Sequence, residues 1–237
     1  HRDLHSFPTR RSSDLMSLEN TTAIIPALNE ESSIGRVLEE TLKVCPNVIV
    51  VDDGSTDRTA EIVRGGYREV TLLRHDERRG KGAAVRYALE KTKTPYVALQ
   101  DADCEYPPNN LALLAEAGMC DMVVGQRTMV VTDFYRQVSL GSFTANKIFA
   151  HLAGVPDVFS GQRILRTDFM RSLDLRSNGF EIETEMTFKA IKRKASILFV
   201  PVGYHPRTKT EGKKICFRDF LKISAMYCKL SLQGVPA

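Results

Sequence analysis

Apolar runs and polar breaks alternate along the first half of the chain, and the breaks fall where strands should end. Residues 21–28 (TTAIIPAL) are short and rich in β-branched side chains, as a strand requires. Asn29, Glu30 and Glu31 follow, and are expected to open a helix with acids in its first turn. Ile34, Val37, Leu38 and Leu42 give that helix one apolar face. Residues 47–51 (NVIVV) read as a strand buried on both faces. Asp52 and Asp53 end it, Gly54 permits a sharp turn, and Ser55 or Asp57 can cap the next helix. A third strand over 69–74 leads into a helix over 81–93, whose apolar side is Ala84, Val85, Ala88 and Leu89.

Residues 97–107 (VALQDADCEYP) carry the sharpest change of character. They begin as an apolar strand and turn acidic. Strand side chains alternate, so the pattern predicts Asp101 and Asp103 on one side and Ala102 on the other, with Glu105 joining the acids if the chain stays extended. The prolines at 107 and 108 stop the strand. Like charges gathered there repel unless a cation lies between them, and a hard, oxygen-seeking ion suits such a set. A solvated acidic loop is the plain alternative.

A helix over 110–117 and a strand over 121–125 complete a run of strand–helix units. Their succession predicts an α/β fold with a mostly parallel, Rossmann-like sheet and crossover helices. Ligands of such sheets bind beyond the carboxyl ends of the strands. Asn29/Glu30, Asp52/Asp53 and Asp101/Asp103 all fall at those ends.

The second half is less regular. A helix is expected over 134–152, with Val138, Phe143, Ile148, Phe149 and Leu152 among its apolar residues. Ser160-Gly161-Gln162-Arg163 precedes a short strand at 164–165. A helix over 180–194 bears Glu181 and Glu185 one turn apart, and a strand follows over 196–202. Then come Tyr204-His205-Pro206-Arg207, a basic loop over 209–214 and an amphipathic stretch over 217–232.

Composition narrows the class. A chain of 237 residues with 43% hydrophobic and 26% charged residues can bury a full core. A net charge of +4 is far from the profile of a nucleic-acid binder. Five cysteines, odd in number and without a Cys-x-x-Cys, read as reduced thiols of a cytosolic protein. No apolar run approaches the roughly 20 residues of a membrane-spanning helix. Residues 1–15 lack periodicity and resemble a translated adapter, with Met16 as the natural start. The expected organisation is therefore a leader at 1–15, a catalytic domain at 16–215 and an amphipathic tail at 216–237.

Six short motifs, in order, give the chain a family likeness: Ile25-Pro26-Ala27-Leu28-Asn29-Glu30, residues 51–57 (VDDGSTD), residues 80–84 (GKGAA), Asp101-Ala102-Asp103, Val124-Gly125-Gln126-Arg127 and Ser160-Gly161-Gln162-Arg163. Together they resemble family 2 glycosyltransferases of the GT-A fold, of the dolichol- or polyprenol-phosphate sugar synthase type. The likeness runs from about residue 22 to 215.

The resemblance implies a site. Pro26, Leu28, Asn29, Glu30, Asp53, Lys81, Asp101, Ala102, Arg127, Arg207 and Lys213 would bind a GDP- or UDP-sugar donor. Gly80 and Gly82 would let backbone approach a ligand at a helix start that favours anions. Asp101, Asp103 and Glu105 would hold Mg²⁺ or Mn²⁺, although many relatives have Gln at the position of Glu105. Asp103 and Arg163 would be catalytic, and Ser160, Gly161, Gln162 and Arg163 would bind the acceptor. Asp52 reads as a brace for its turn, Glu181 and Glu185 as orienting groups, and His205 as a packed loop residue.

The implied reaction is an inverting sugar transfer to a polyprenyl phosphate. Such a phosphate is largely dianionic at neutral pH, with a second pKa near 6, and needs little help from a base. A hydroxyl acceptor would require a carboxylate base. The basic loop and tail suit peripheral contact with the cytoplasmic face of a membrane. A nucleotidyltransferase would carry a glycine-rich loop after its first strand, where this chain has Pro26-Ala27-Leu28-Asn29. A non-catalytic nucleotide-sugar module would have no need of Asp101, Asp103 and Arg163 together.

Overall fold

The computed structural model describes residues 16–128, 140–207 and 217–232. Seven strands form one sheet: β1 (Thr21–Ala27), β2 (Asn47–Asp52), β3 (Thr71–Arg74), β4 (Tyr96–Leu99), β5 (Met122–Thr128), β6 (Arg163–Arg166) and β7 (Ile197–Gly203). Their order is β3-β2-β1-β4-β6-β5-β7. The β1–β2, β1–β4, β2–β3 and β5–β7 pairs are parallel, while β6 runs antiparallel to both β4 and β5. The mostly parallel sheet is as the strand–helix rhythm implies. The reversed β6 at its centre is not legible in a local pattern.

Eight α-helices are described: α1 (Ile34–Val44), α2 (Thr59–Gly66), α3 (Lys81–Lys91), α4 (Asn110–Glu116), α5 (Leu140–Ala153), α6 (Thr167–Ser172), α7 (Ile182–Lys192) and α8 (Phe217–Leu232). Strand alternation sorts the core. Ile24, Ile49, Val51, Val97 and Leu99 face α3 and α7 on one side of the sheet. Ala23, Ile25, Val48 and Val50 face α1 and α2 on the other, and Ala98, Val123 and Ile164 meet α4.

Two expectations about boundaries change. α1 begins at Ile34, because Asn29 takes a left-handed backbone with φ of 51°. Its amide donates to Ser55 Oγ, and its Oδ1 accepts from the Thr56 amide, so the first two strand ends are tied together. The strand expected over 97–107 ends at Leu99. Gln100 is buried and donates through Nε2 to the Tyr106 carbonyl at 2.9 Å, and Cys104 is left-handed with φ of 60°, so 101–105 curls into a turn. A turn, not strand alternation, brings the acids together.

Of the expected 134–152 helix, Leu140 onward is described, and Val138 lies outside the described residues. So do the leader, the basic loop and Lys213. Cys45, Cys104 and Cys120 are free thiols. Among the described residues no helix is long and apolar enough to cross a membrane.

Candidate active site

The strand ends meet at a cleft of about 380 Å³. Pro26, Leu28, Glu30, Asp53, Lys81, Asp101, Ala102, Asp103, Glu105, Arg127, Gly161 and Arg207, all singled out in the sequence, line it. It also takes in Arg78, Tyr106, Asp157, Phe159, Phe180, Glu183, Tyr204 and Ile223, to which the sequence alone gives no site role.

On the β2 side, Asp53 is buried and fully engaged. Its Oδ1 meets His75 Nδ1 at 2.7 Å and accepts from the Arg79 amide at 2.9 Å, and its Oδ2 accepts from the Gly80 amide at 2.7 Å. Asp53 thus shapes the loop over 75–80 at the cleft wall. Asp52 braces its own turn, taking the Ser55 amide and pairing with Arg74 at 3.0 Å.

The glycines around Lys81 serve the protein's own backbone. The amides of Gly82 and Ala83 donate to the Asn178 carbonyl at 2.8 and 3.2 Å. A Cβ at Gly82 would overlap the Ser177 carbonyl oxygen. The 177–178 segment therefore closes Gly82, where the expected ligand approach is corrected, while Gly80 lines the cleft. Gly82→Ala should cost about 2 kcal/mol of overpacking, a fall of about 4–8 °C in melting temperature for a chain of this size. A thermal melt checks this, and an unchanged melt would show that the segment yields.

Lys81 itself is the cation of the cleft floor. Its Nζ lies 2.5 Å from Asp101 Oδ1 and 2.6 Å from Glu183 Oε1. Burial opposes its charge, but those two carboxylates outweigh burial and hold the ammonium protonated well above the usual lysine range. Glu183 is buried in the first turn of α7. Its neighbours Glu181 and Glu185 face elsewhere: Glu181 accepts from the Gly179 amide, and Glu185 from the amides of Arg176 and Ser177.

Arg207 is the cation of the opposite wall. It donates to both Glu30 carboxylate oxygens at 3.1 Å and to Asp103 Oδ2 at 3.1 Å. Glu105 anchors the same segment from below, accepting from the Tyr204 hydroxyl and the Arg207 amide, each at 2.8 Å. His205 is exposed rather than packed, and its amide donates to the Glu105 carbonyl. Arg127 forms a two-point pair with Asp157, at 2.7 and 2.9 Å. Asp157 also accepts from the amides of Phe159 and Ser160, so this pair fixes the loop before β6.

Does the acidic turn suit a divalent cation? Burial, then the charges of Asp101 and Glu105, push the Asp103 carboxyl up to about 7 against the opposing pull of Arg207. Negative charge there exceeds what the protein neutralises. Among the described residues, however, no three acidic, His or Cys side chains form a ready cage. Both oxygens of Glu105 are taken by Tyr204 and the Arg207 amide, while Asp101 meets Lys81 and Asp103 meets the Glu105 amide and Arg207. Asp101 and Asp103 fit the pattern of one or two carboxylates whose ion takes further oxygens from a phosphate-bearing substrate.

The tetrad at 160–163 divides. Gly161 lines the cleft beside Asp101. Ser160, Gln162 and Arg163 are fully buried. Gln162 sits in an amide network, donating to Gln100 Oε1 at 2.6 Å and accepting from Asn110 at 3.0 Å. Arg163 donates to the carbonyls of Ser160 and Glu183 and to Thr187 Oγ1. Burial lowers the pKa of its guanidinium. It lies under the site, not in it, because β6 is an interior strand; the expected contact with reactants is corrected.

Comparison with known proteins agrees with this architecture. The family model described as glycosyl transferase family 2 matches residues 22–173. A low-salt glycan biosynthesis hexosyltransferase, Agl6, of Haloferax volcanii is 30% identical over 201 residues, covering 78% of this chain and 48% of that protein. The chain thus spans about half the length of that relative. An undecaprenyl-phosphate mannosyltransferase of Micrococcus luteus is 30% identical over 209 residues, covering 80% of this chain and 85% of its own. A solved glucosyl-3-phosphoglycerate synthase of Mycobacterium tuberculosis, in complex with Mn²⁺, UDP and phosphoglyceric acid, superposes with a TM-score of 0.69 at 19% identity, over 94% of this chain and 80% of that one. That likeness concerns the GT-A fold alone. With the family model spanning more than half of its residues and the GT-A sheet beneath its cleft, the chain belongs to glycosyltransferase family 2.

Proposed function

We propose that this glycosyltransferase moves a sugar from a GDP- or UDP-sugar onto a polyprenyl phosphate, with inversion, using Mg²⁺ or Mn²⁺ held at Asp101 and Asp103. One observation carries the choice of acceptor: the acids lining the cleft are engaged. Glu30 and Asp103 meet Arg207, Asp101 and Glu183 meet Lys81, and Asp157 meets Arg127. Asp53 meets His75 and Glu105 meets Tyr204. A carboxylate paired with a cation is a poor proton acceptor, so, Asp103 apart, the cleft acids give a hydroxyl acceptor little basic help. A phosphate monoester arrives already ionised, with a second pKa near 6. It needs positioning and charge screening, and a cleft with Lys81, Arg78 and Arg207 on its walls offers both. When bound, the divalent ion supplies Lewis-acid relief of the charge on the departing nucleoside diphosphate.

The other lining residues suit an isoprenoid. Pro156, Phe159, Phe180 and Ile223 make an apolar wall. Nearby, Ile148 and Leu152 on α5 and Leu221 on α8 are exposed, beside exposed Lys147 and Lys222. This arrangement supports peripheral contact with an anionic cytoplasmic leaflet, where each basic residue contributes about 1 kcal/mol. The named substrate of the Micrococcus relative, and the Mn²⁺ and UDP of the solved neighbour, support the acceptor, ion and donor classes.

A second reading has one observation behind it. The Asp103 carboxyl, pushed up to about 7, is suited to act as a base at neutral pH. It favours a sugar or other hydroxyl acceptor. Offering a short polyprenyl phosphate and the corresponding free polyprenol at equal concentration separates the two. The proposal expects a glycosylated lipid from the phosphate only. Product from the alcohol at a comparable rate would give the second reading the site.

A further inference from the structure

Lys81 is held from two sides, and only one of its partners belongs to the acidic turn. We infer that Glu183 is a positioning residue that keeps Lys81 at the diphosphate side of the cleft, independently of Asp101. The inference deepens the donor reading above and rests on it.

Lysine carries its charge on a flexible stem of four carbons and has no preferred fork geometry. Paired with Asp101 alone, it would follow that carboxylate and neutralise it. Glu183 prevents this. Its oxygen lies 2.6 Å from Nζ, against 2.5 Å for Asp101, so the ammonium is shared. Glu183 is itself closely held. It is 3% exposed, in the first turn of α7, and its carbonyl accepts from Arg163 Nη1 and Thr187 Oγ1. The ring of Phe180 lies 5.9 Å from Nζ and bounds the same pocket. Gly161 leaves the space that brings Asp101 and Nζ together; a Cβ there would overlap Asp101 Oδ2 and lie 3.2 Å from Nζ.

The consequence concerns what happens when Asp101 turns to another charge. An ammonium has three N–H donors. Asp101 and Glu183 account for two, and the inference assigns the third to a phosphate oxygen of the donor. With Glu183 in place, Lys81 keeps its position even when Asp101 is drawn away. Without Glu183, Lys81 collapses onto Asp101 and both are lost to the ligand. The buried Arg163 contributes from below, since it holds the backbone of the residue that holds Lys81.

Simple electrostatics predicts the opposite sign for removal of Glu183. Deleting a negative charge from a cleft should tighten the binding of an anion. The test is therefore the dissociation constant of GDP and of UDP, measured by calorimetry in EDTA and again with Mn²⁺. Glu183→Gln keeps the shape and removes the charge. It is expected to weaken binding of whichever nucleotide the wild type takes by about tenfold, the scale of one charge-assisted hydrogen bond. Glu183→Asp, which keeps the charge one methylene short, should fall between the two. In a Lys81→Met background the Gln substitution should have no further effect. Equal or tighter binding by Glu183→Gln overturns the inference, as does an undiminished loss in the Lys81→Met background. Should Glu183→Gln melt below the titration temperature, Glu183→Asp decides, and an affinity equal to wild type's overturns it. Wild type that binds neither nucleotide removes the donor reading and this inference with it.

Discussion

Asp103→Asn is expected to lower turnover by at least about a thousandfold, the upper range for loss of one preorganised electrostatic group, and to leave the fold intact. Asparagine can keep the Glu105 amide on its single carbonyl oxygen, while its NH2 cannot accept from Arg207, which retains both oxygens of Glu30. It loses the charge and that one contact. Burial and the neighbouring Asp101 and Glu105 raise the Asp103 carboxyl from 3.8 to about 7. A carboxyl raised on folding contributes stability that is fully present below its unfolded value and is lost as pH rises through its folded value. Metal-free wild type should therefore melt progressively lower as pH rises from about 4 to about 7, and the Asn variant should show a flatter profile. At pH 8, without metal, the variant should be the more stable of the two. Wild-type activity of the variant with Mn²⁺ would place the metal elsewhere, and a lower melt at pH 8 would show that the charge is better satisfied than its surroundings indicate.

The second large effect is on stability. Arg163→Met should cost about 3 kcal/mol, the lower end for breaking a buried charged network, and lower the melting temperature by roughly 6–12 °C. Methionine fills much of the volume but abandons the carbonyls of Ser160 and Glu183 and the Thr187 hydroxyl. The Ser160 carbonyl loses its buried donor, and such losses are what make the change expensive. A catalytic arginine would behave otherwise, with turnover falling and the melt unchanged. Thermal melting with and without nucleotide distinguishes the two, and an unaltered melt would return Arg163 to the chemistry.

These two residues mark what is legible in the sequence. The strand–helix rhythm through residue 125 locates the first five strands and the acids at their ends, because each element's apolar period is local. For Asp101 and Asp103 the sequence places the two acids together at the cleft, but by way of the wrong geometry. The turn that gathers them depends on the side-chain hydrogen bond from Gln100 and the left-handed Cys104, and neither has a periodic signature. Arg163 is expected, by the family resemblance, to be catalytic and to bind the acceptor. Its burial follows from β6 lying between β4 and β5, a nonlocal fact that four residues of strand cannot convey. Glu183 is hidden between Glu181 and Glu185. The spacing draws attention to the outer pair, yet the middle acid faces the cleft, and its only sequence signal is a third acid near the same helix start. Asp157 has no signal at all, since its partner Arg127 is thirty residues away. The aromatic lining residues Phe159, Phe180 and Tyr204 come from three separate segments and meet only in the fold.

The central claim is a cleft that transfers sugar to a lipid phosphate with the help of a divalent ion. It is tested most directly by measuring nucleoside diphosphate release from GDP-mannose, UDP-glucose and UDP-GlcNAc, with and without a short polyprenyl phosphate, in Mn²⁺ or in EDTA. Release from one donor that requires both the lipid and the metal is the predicted result. Release that ignores the lipid, or that persists in EDTA, would contradict it.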